Sequence, residues 1–112
     1  MPKIRHLAIK TKDPARLAKF YEEVFGMKLI NTEKSGAMYM SDGYLTLAIL
    51  RNRGDAAPSG INHFGFEVES VEAMEDAAQT TSVSNTFGAV AENWIRDPEG
   101  NRVDIAEHGW PI

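Results

Sequence analysis

The chain resembles itself once, and that self-similarity restricts its possible folds more than any other feature. Ile4-Arg5-His6-Leu7-Ala8-Ile9 matches Ile61-Asn62-His63-Phe64-Gly65-Phe66 at an offset of 57 residues, with His6 falling on His63. Each segment is followed by a helix-start signal. Further on, the stretch from Ser41 to Leu47 resembles the stretch from Asp97 to Asp104, and placing Gly43 on Gly100 again gives 57. The chain therefore reads as one domain, 1–112, built from two modules, 1–56 and 57–112. The Gly- and Pro-containing stretch from Arg53 to Gly60 is the linker.

Each module carries the same order of elements. Ile4 to Lys10 alternates with period two, as a half-buried strand does. Asp13 is a helix N-cap with Pro14 at the first helical position. Leu17, Phe20, Tyr21, Val24 and Phe25 then recur at helical spacing and predict one apolar face, which Gly26 terminates. Met27 to Asn31, Ala37 to Met40 and Tyr44 to Leu50 are predicted strands, the last two joined by a turn at Ser41-Asp42-Gly43. In the second module, Asn62 to Glu69 is a strand, and Ser70 caps a helix bearing Val71, Met74 and Ala78 on one face. Ala91 to Arg96 and Arg102 to Glu107 form a hairpin around Asp97-Pro98-Glu99-Gly100. Thr80 to Gly88 shows no clear alternation. The predicted pattern is βαβββ twice.

Composition narrows the function. With no cysteine, the chain has no disulfide, thiolate zinc site or cysteine nucleophile. A net charge of −4 argues against general nucleic-acid binding. No apolar run reaches the roughly 18 residues of a membrane span, and the start has no apolar signal core, so a cytoplasmic location is expected. The charge is uneven: residues 1–56 hold ten Lys/Arg against six Asp/Glu, and residues 57–112 hold two against ten. This split either steers an anionic ligand, draws two copies together, or simply reflects two differently charged solvated faces.

Strand parity separates two classes of residue. On the three strands bearing His6, His63 and Asp104, the bulky apolar residues point one way, toward the helices. Each of the three polar residues points the other way beside a small neighbour: Ala8, Gly65 or Ala106. Small neighbours leave a hollow. One reading of the three is that they face a ligand held in such a hollow. The alternative is structural: buried, hydrogen-bonded sheet histidines, with Asp104 paired to Arg102 or to a histidine.

The ordered set His6-Leu7-Ala8-Ile9, Asp13-Pro14 with Phe20-Tyr21 and Phe25-Gly26, His63-Phe64-Gly65-Phe66, and Asp97-Pro98-Glu99-Gly100-Asn101 resembles the vicinal oxygen chelate superfamily. This is the glyoxalase, bleomycin-resistance and extradiol-dioxygenase fold, and the resemblance covers essentially the whole chain. It implies an α+β fold in which two tandem βαβββ modules form a cupped mixed sheet. It implies a divalent metal that chelates adjacent oxygens of a small-molecule substrate, and a homodimer. The family's ligand positions match His6 and His63 on the first strands and, four residues after each turn glycine, Leu47 and Asp104. Leu47 cannot ligate, and Asp104 is one methylene shorter than the usual Glu. The two imidazoles and one carboxylate that remain, with open positions, would form a facial triad suited to Fe, Mn, Ni, Co or Zn.

The surviving set of two histidines and one carboxylate looks more like a dioxygenase than a lyase or isomerase. A metal-free drug-sequestering protein of the bleomycin-resistance type is the alternative. Leu45, Leu47 and Ile49 are expected to form an apolar wall of the cup. Tyr39, Leu47, Arg51 and Trp94 are the candidate substrate contacts, with Tyr44 and Phe87 as further ring candidates. His108 is a candidate acid or base at the rim, although it lies roughly 13 Å beyond Asp104 along an extended strand. Glu107 has the opposite parity to Asp104.

Overall fold

In the computed structural model, all residues are described except 55–57, 88–89 and 111, and side chains are further undescribed at 85–92. Among the described residues, eight strands and two helices, joined by parallel and antiparallel pairings, make it an α+β protein with a mixed sheet. Two compact units divide the chain. One comprises His6–Asn62 and Trp110–Ile112, the other Met1–Arg5 and His63–Gly109.

The first unit contains β1(Lys3–Thr11) from His6 onward, α1(Pro14–Phe25), β2(Lys28–Thr32), β3(Met38–Ser41) and β4(Thr46–Arg51). Its strands run in the order β2-β3-β4-β1. β1 and β4 are parallel, while β4–β3 and β3–β2 are antiparallel. Helix α1 starts where Asp13 accepts a hydrogen bond from the Arg16 N–H at 3.1 Å. It stops at Gly26, which takes φ 71°, a left-handed conformation natural to glycine.

The buried face of α1 is narrower than the sequence periodicity predicts. Ala18 is buried with Met40, Leu47 and Ile49, and Leu17 and Tyr21 pack against that cluster. Phe20, Val24 and Phe25 are 49%, 59% and 67% exposed. The apolar arc spans more of the helix than β3 and β4 cover, so half of it faces outward. Those outward rings contact each other instead, Phe20 lying edge-on to Phe25 at 6.0 Å.

The second unit repeats the plan with β5(Gly60–Glu67), α2(Val71–Ala78), β6(Val83–Phe87), β7(Val90–Arg96) and β8(Arg102–Ala106), all but the first three residues of β5 lying within it. The order is β5-β8-β7-β6, with β5 and β8 parallel. The stretch without clear alternation contains β6, an edge strand paired with β7. Ser70 caps α2 by accepting from the Ala73 N–H at 3.1 Å. Glu107 adds a second acceptor there, its Oε2 2.8 Å from the Val71 N–H.

The repeat is not uniform at 57 residues. In the first hairpin, the Asp42 N–H bonds the Leu45 carbonyl; in the second, the Asp97 N–H bonds the Asn101 carbonyl, across one residue more. Hairpin length sets register, so the strands that follow are offset by one. Ala8 pairs with Ala48 in the first unit as Gly65 pairs with Asp104 in the second. The residue equivalent to Asp104 is therefore Ala48. Leu47 pairs with Leu7 and lies in the core under α1, 5% exposed. The expected apolar wall of Leu47 and Ile49 belongs to that core, because a one-residue slip turns every side chain to the opposite face.

Candidate functional site

The second unit brings His63, Arg102, Asp104 and Trp94 onto one face of its strands. Asp104 stands opposite Gly65 on β5 and opposite Trp94 on β7. His63 precedes Gly65 by two residues and so shares its face. Asp104 has no solvent exposure and His63 is 9% exposed. Both are held by strand backbone rather than by loops.

A buried carboxylate is costly unless it is compensated. Arg102 Nε donates to Asp104 Oδ1 at 2.8 Å, and His63 Nε2 stands 3.3 Å from Asp104 Oδ2. Burial opposes the charge most strongly, yet the hydrogen bonds and charges of His63 and Arg102 together hold the Asp104 carboxyl below the usual carboxylate range. The group is ionised at neutral pH. Between Nε2 and Oδ2 there is room for one proton or for one shared cation. Two donors about 2.1 Å from one metal, set at angles between square and tetrahedral, stand roughly 3.0–3.4 Å apart. The pair fits a divalent metal both in donor chemistry and in spacing. Both structural partners named for Asp104 as the non-metal alternative, Arg102 and a histidine, are present as well.

His6 lies in the other unit, 4% exposed, on the face of Ala8 and Ala48. The Trp110 ring tilts over its imidazole, with centroids 4.3 Å apart. Trp110 was not singled out by the sequence. It follows the last strand, where no alternation marks it, and a tryptophan next to a proline near a chain end gives little signal.

The remaining candidates are dispersed. Tyr39 is paired with Ala48, on the face of His6, and its hydroxyl donates to Glu33 Oε1 at 2.5 Å. Arg51 is exposed and lies across Gly36, where a Cβ would come within 2.9 Å of its Nε. His108 is exposed beyond the end of β8, its Nδ1 3.0 Å from the Gly109 carbonyl oxygen. Tyr44 is 49% exposed at the hairpin. The side chain of Phe87 falls outside the described residues. Trp94 is half-buried, with the guanidinium carbons of Arg96 and Arg102 at 5.1 and 5.2 Å from its ring centroid.

A doubled βαβββ plan with His63 and a buried carboxylate on one strand face defines a class of small α+β proteins. The chain belongs to the Glyoxalase/Bleomycin resistance protein/Dioxygenase superfamily, whose family model matches residues 3–105. A probable trivalent organoarsenical cleaving enzyme from Bacillus subtilis (strain 168) is 24% identical over 107 residues, covering 86% of this chain and 73% of that protein. Among solved structures, hypothetical protein BH1468 from Bacillus halodurans C-125 superposes with a TM-score of 0.75 at 15% identity, over 99% of this chain and 97% of that one. Methylmalonyl-CoA epimerase from Mycobacterium tuberculosis gives 0.70 at 16%, over 91% and 85%. The 2,3-dioxygenase LapB from Pseudomonas sp. KL28 gives 0.70 at 18%, over 92% of this chain but 39% of that one. At these identities the structural likeness concerns the fold. Among the described residues, no helix is long and apolar enough to cross a membrane.

Proposed function

We propose that this chain is a small metal-dependent enzyme acting on a small molecule with adjacent oxygens. In this reading, His6, His63 and Asp104 hold a divalent Fe, Mn, Ni, Co or Zn ion. The observation that carries it is the buried, ionised Asp104 facing His63 Nε2 at 3.3 Å. When bound, such an ion supplies Lewis-acid activation of chelated oxygens.

The chain's own residues supply the rest. Asp104 contributes the anionic donor, already deprotonated. Arg102 fixes its orientation, Nε donating to Oδ1 at 2.8 Å and Nη2 to Oδ2 at 3.5 Å, while Oδ2 also faces His63. Ala48, the repeat equivalent of Asp104, offers no fourth donor or base, which would leave positions for substrate on a bound ion. This favours dioxygenase-like ring or carbon–carbon cleavage over an isomerase or lyase that needs a carboxylate base there. The substrate of the organoarsenical-cleaving relative does not carry over well: trivalent arsenic is a soft, thiolate-seeking centre, and this chain has no cysteine. The reading includes two repeat modules, 1–56 and 57–112, a homodimer and a cytoplasmic location, the last to be checked by cell fractionation.

The test is thermal unfolding of untagged protein with a panel of divalent metals, with and without EDTA. At about 100 times Kd, a bound metal adds about 2.7 kcal/mol, which is roughly 10 °C in Tm for a chain of this size. The rise is expected in wild type and not in His6→Ala or Asp104→Ala. Oxygen uptake with catechols and anaerobically loaded Fe(II) then tests the reaction type. If no metal raises Tm, the metalloenzyme reading fails. A metal-free binding protein then stands in its place, supported by the Arg102 guanidinium that already neutralises Asp104. Its ligand binding would be indifferent to EDTA and to Asp104→Ala.

A further inference from the structure

Beside the Asp104 face lies a cationic arrangement that the metal reading does not use. Arg96 on β7 and Arg102 on β8 are directly opposite each other in an antiparallel pair. Like charges in that position repel. Both guanidiniums also stand over the same Trp94 ring, at 5.1 and 5.2 Å. One carboxylate, Asp104, offsets Arg102. Arg96 is exposed and donates through one nitrogen to the Gly100 carbonyl oxygen at 2.8 Å. Among the described residues it has no carboxylate partner. The nearby Asp97 carboxylate is engaged by the Glu99 and Asn101 backbone N–H groups and the Asn101 amide, each at 2.9 Å.

Two opposed cations with one compensating anion leave a place for a second anion. Arg96 also borders a groove of about 690 Å³ whose walls include Val83, Trp94, Ile95, Pro98 and the already engaged Asp97. That size lies within the range of small-molecule sites. A guanidinium fork beside an aromatic and aliphatic wall matches a planar carboxylate carried on a flat apolar body. A bare inorganic anion would leave that wall unused.

We infer that this groove binds the carboxylate of a small aromatic acid, with Arg96 as the anchoring cation and Trp94 as the wall for the ring. The inference rests on the proposed enzyme in one respect: Trp94, which lines the groove, stands opposite Asp104 on the neighbouring strand, so an aromatic acid is the substrate class inferred for that site.

The binding part is testable without metal. In EDTA-treated protein, benzoate, benzamide, acetate and inorganic phosphate are titrated by calorimetry, and the Trp94 indole N–H resonance is followed. Benzoate is expected to bind at least about tenfold more tightly than benzamide or acetate at low salt, the size of one charge-assisted contact. Exposed charge pairs are screened, so its affinity is expected to fall at high salt. Arg96→Gln is expected to weaken benzoate binding at least fivefold, with Arg96→Lys intermediate because it keeps the charge and loses the fork. Trp94→Leu is expected to weaken benzoate more than acetate.

Equal binding of benzoate and benzamide would overturn the inference, as would an unchanged affinity in Arg96→Gln. Phosphate binding as tightly as benzoate would overturn it too, since the wall would then add nothing. Failure here is distinct from failure of the metal reading, whose readout is the metal-induced Tm rise in protein without benzoate. 3,4-Dihydroxybenzoate turned over no better than catechol by Fe(II)-loaded protein would overturn the assignment of substrate class.

Discussion

Among the described residues, Asp104 is a carboxylate with no solvent exposure, and burial opposes its charge. It is balanced by Arg102 and His63. Removing one member of a buried ion pair strands the other, so Asp104→Ala is expected to destabilise by about 2–4 kcal/mol, a little under the usual range because Arg102 is partly exposed. Urea unfolding at pH 7 measures it. The pH dependence has a definite sign. The folded carboxyl lies below the ordinary value near 3.9, so its stabilisation is complete above that value and is lost as pH falls through the lower, folded one. Asp42, held low mainly by the Leu45 and Tyr44 N–H groups, and Asp97, held low mainly by Asn101, act in the same direction. Wild type is therefore expected to keep constant carboxylate stabilisation from neutrality to about pH 4 and to weaken below it, with a shallower acid limb in Asp104→Asn. An equal acid limb in both would remove Asp104 from this role. Strand parity alone put His63 and Asp104 on their faces, because bulky and polar residues alternate cleanly there. Trp110 was not legible, since ring contact with His6 is a tertiary fact outside any repeating pattern.

Element-scale features were legible wherever capping and alternation agreed. Asp13 with Pro14, and Ser70, start their helices where the sequence places them. The register of β4 was not legible, because it depends on one residue of turn length rather than on any property of the strand. Leu45, Leu47 and Ile49 alternate identically whichever face they take. The structure predicts that Leu47→Ala, a truncation in the core beneath α1, costs about 2–4 kcal/mol, whereas a cup-wall leucine would cost far less. A denaturant midpoint nearly unchanged from wild type would return Leu47 to a ligand-facing position. The end of α2 offers a test of opposite sign. Gln79 terminates that helix with φ 55°, a conformation unfavourable for a side chain with a Cβ. Gln79→Gly is expected to raise stability by about 0.5–1 kcal/mol, or a few degrees in Tm. A lower Tm would mean that Gln79 makes contacts outweighing its backbone strain.

The uneven charge bears directly on how copies associate. Attraction between the basic first half of one copy and the acidic second half of another would act head to tail. Head-to-tail contacts build open chains unless their rotation closes. Such assemblies grow with concentration and come apart in salt, because exposed charges are screened within about 10 Å at 0.1 M. A closed dimer joined through apolar surface behaves differently. Each copy carries net −4, so salt relieves repulsion between the two, while apolar contact is undiminished by it. Exposed apolar side chains are available, including Phe20, Val24 and Phe25 on α1. The proposed homodimer therefore predicts a light-scattering mass of twice 12.4 kDa, constant across a tenfold concentration range and retained in 0.5 M sodium chloride. A mass that climbs with concentration and collapses in salt would assign association to the charge split instead. A mass of one chain under all conditions would remove the dimer, and any site in the chain would then have to be complete within a single copy.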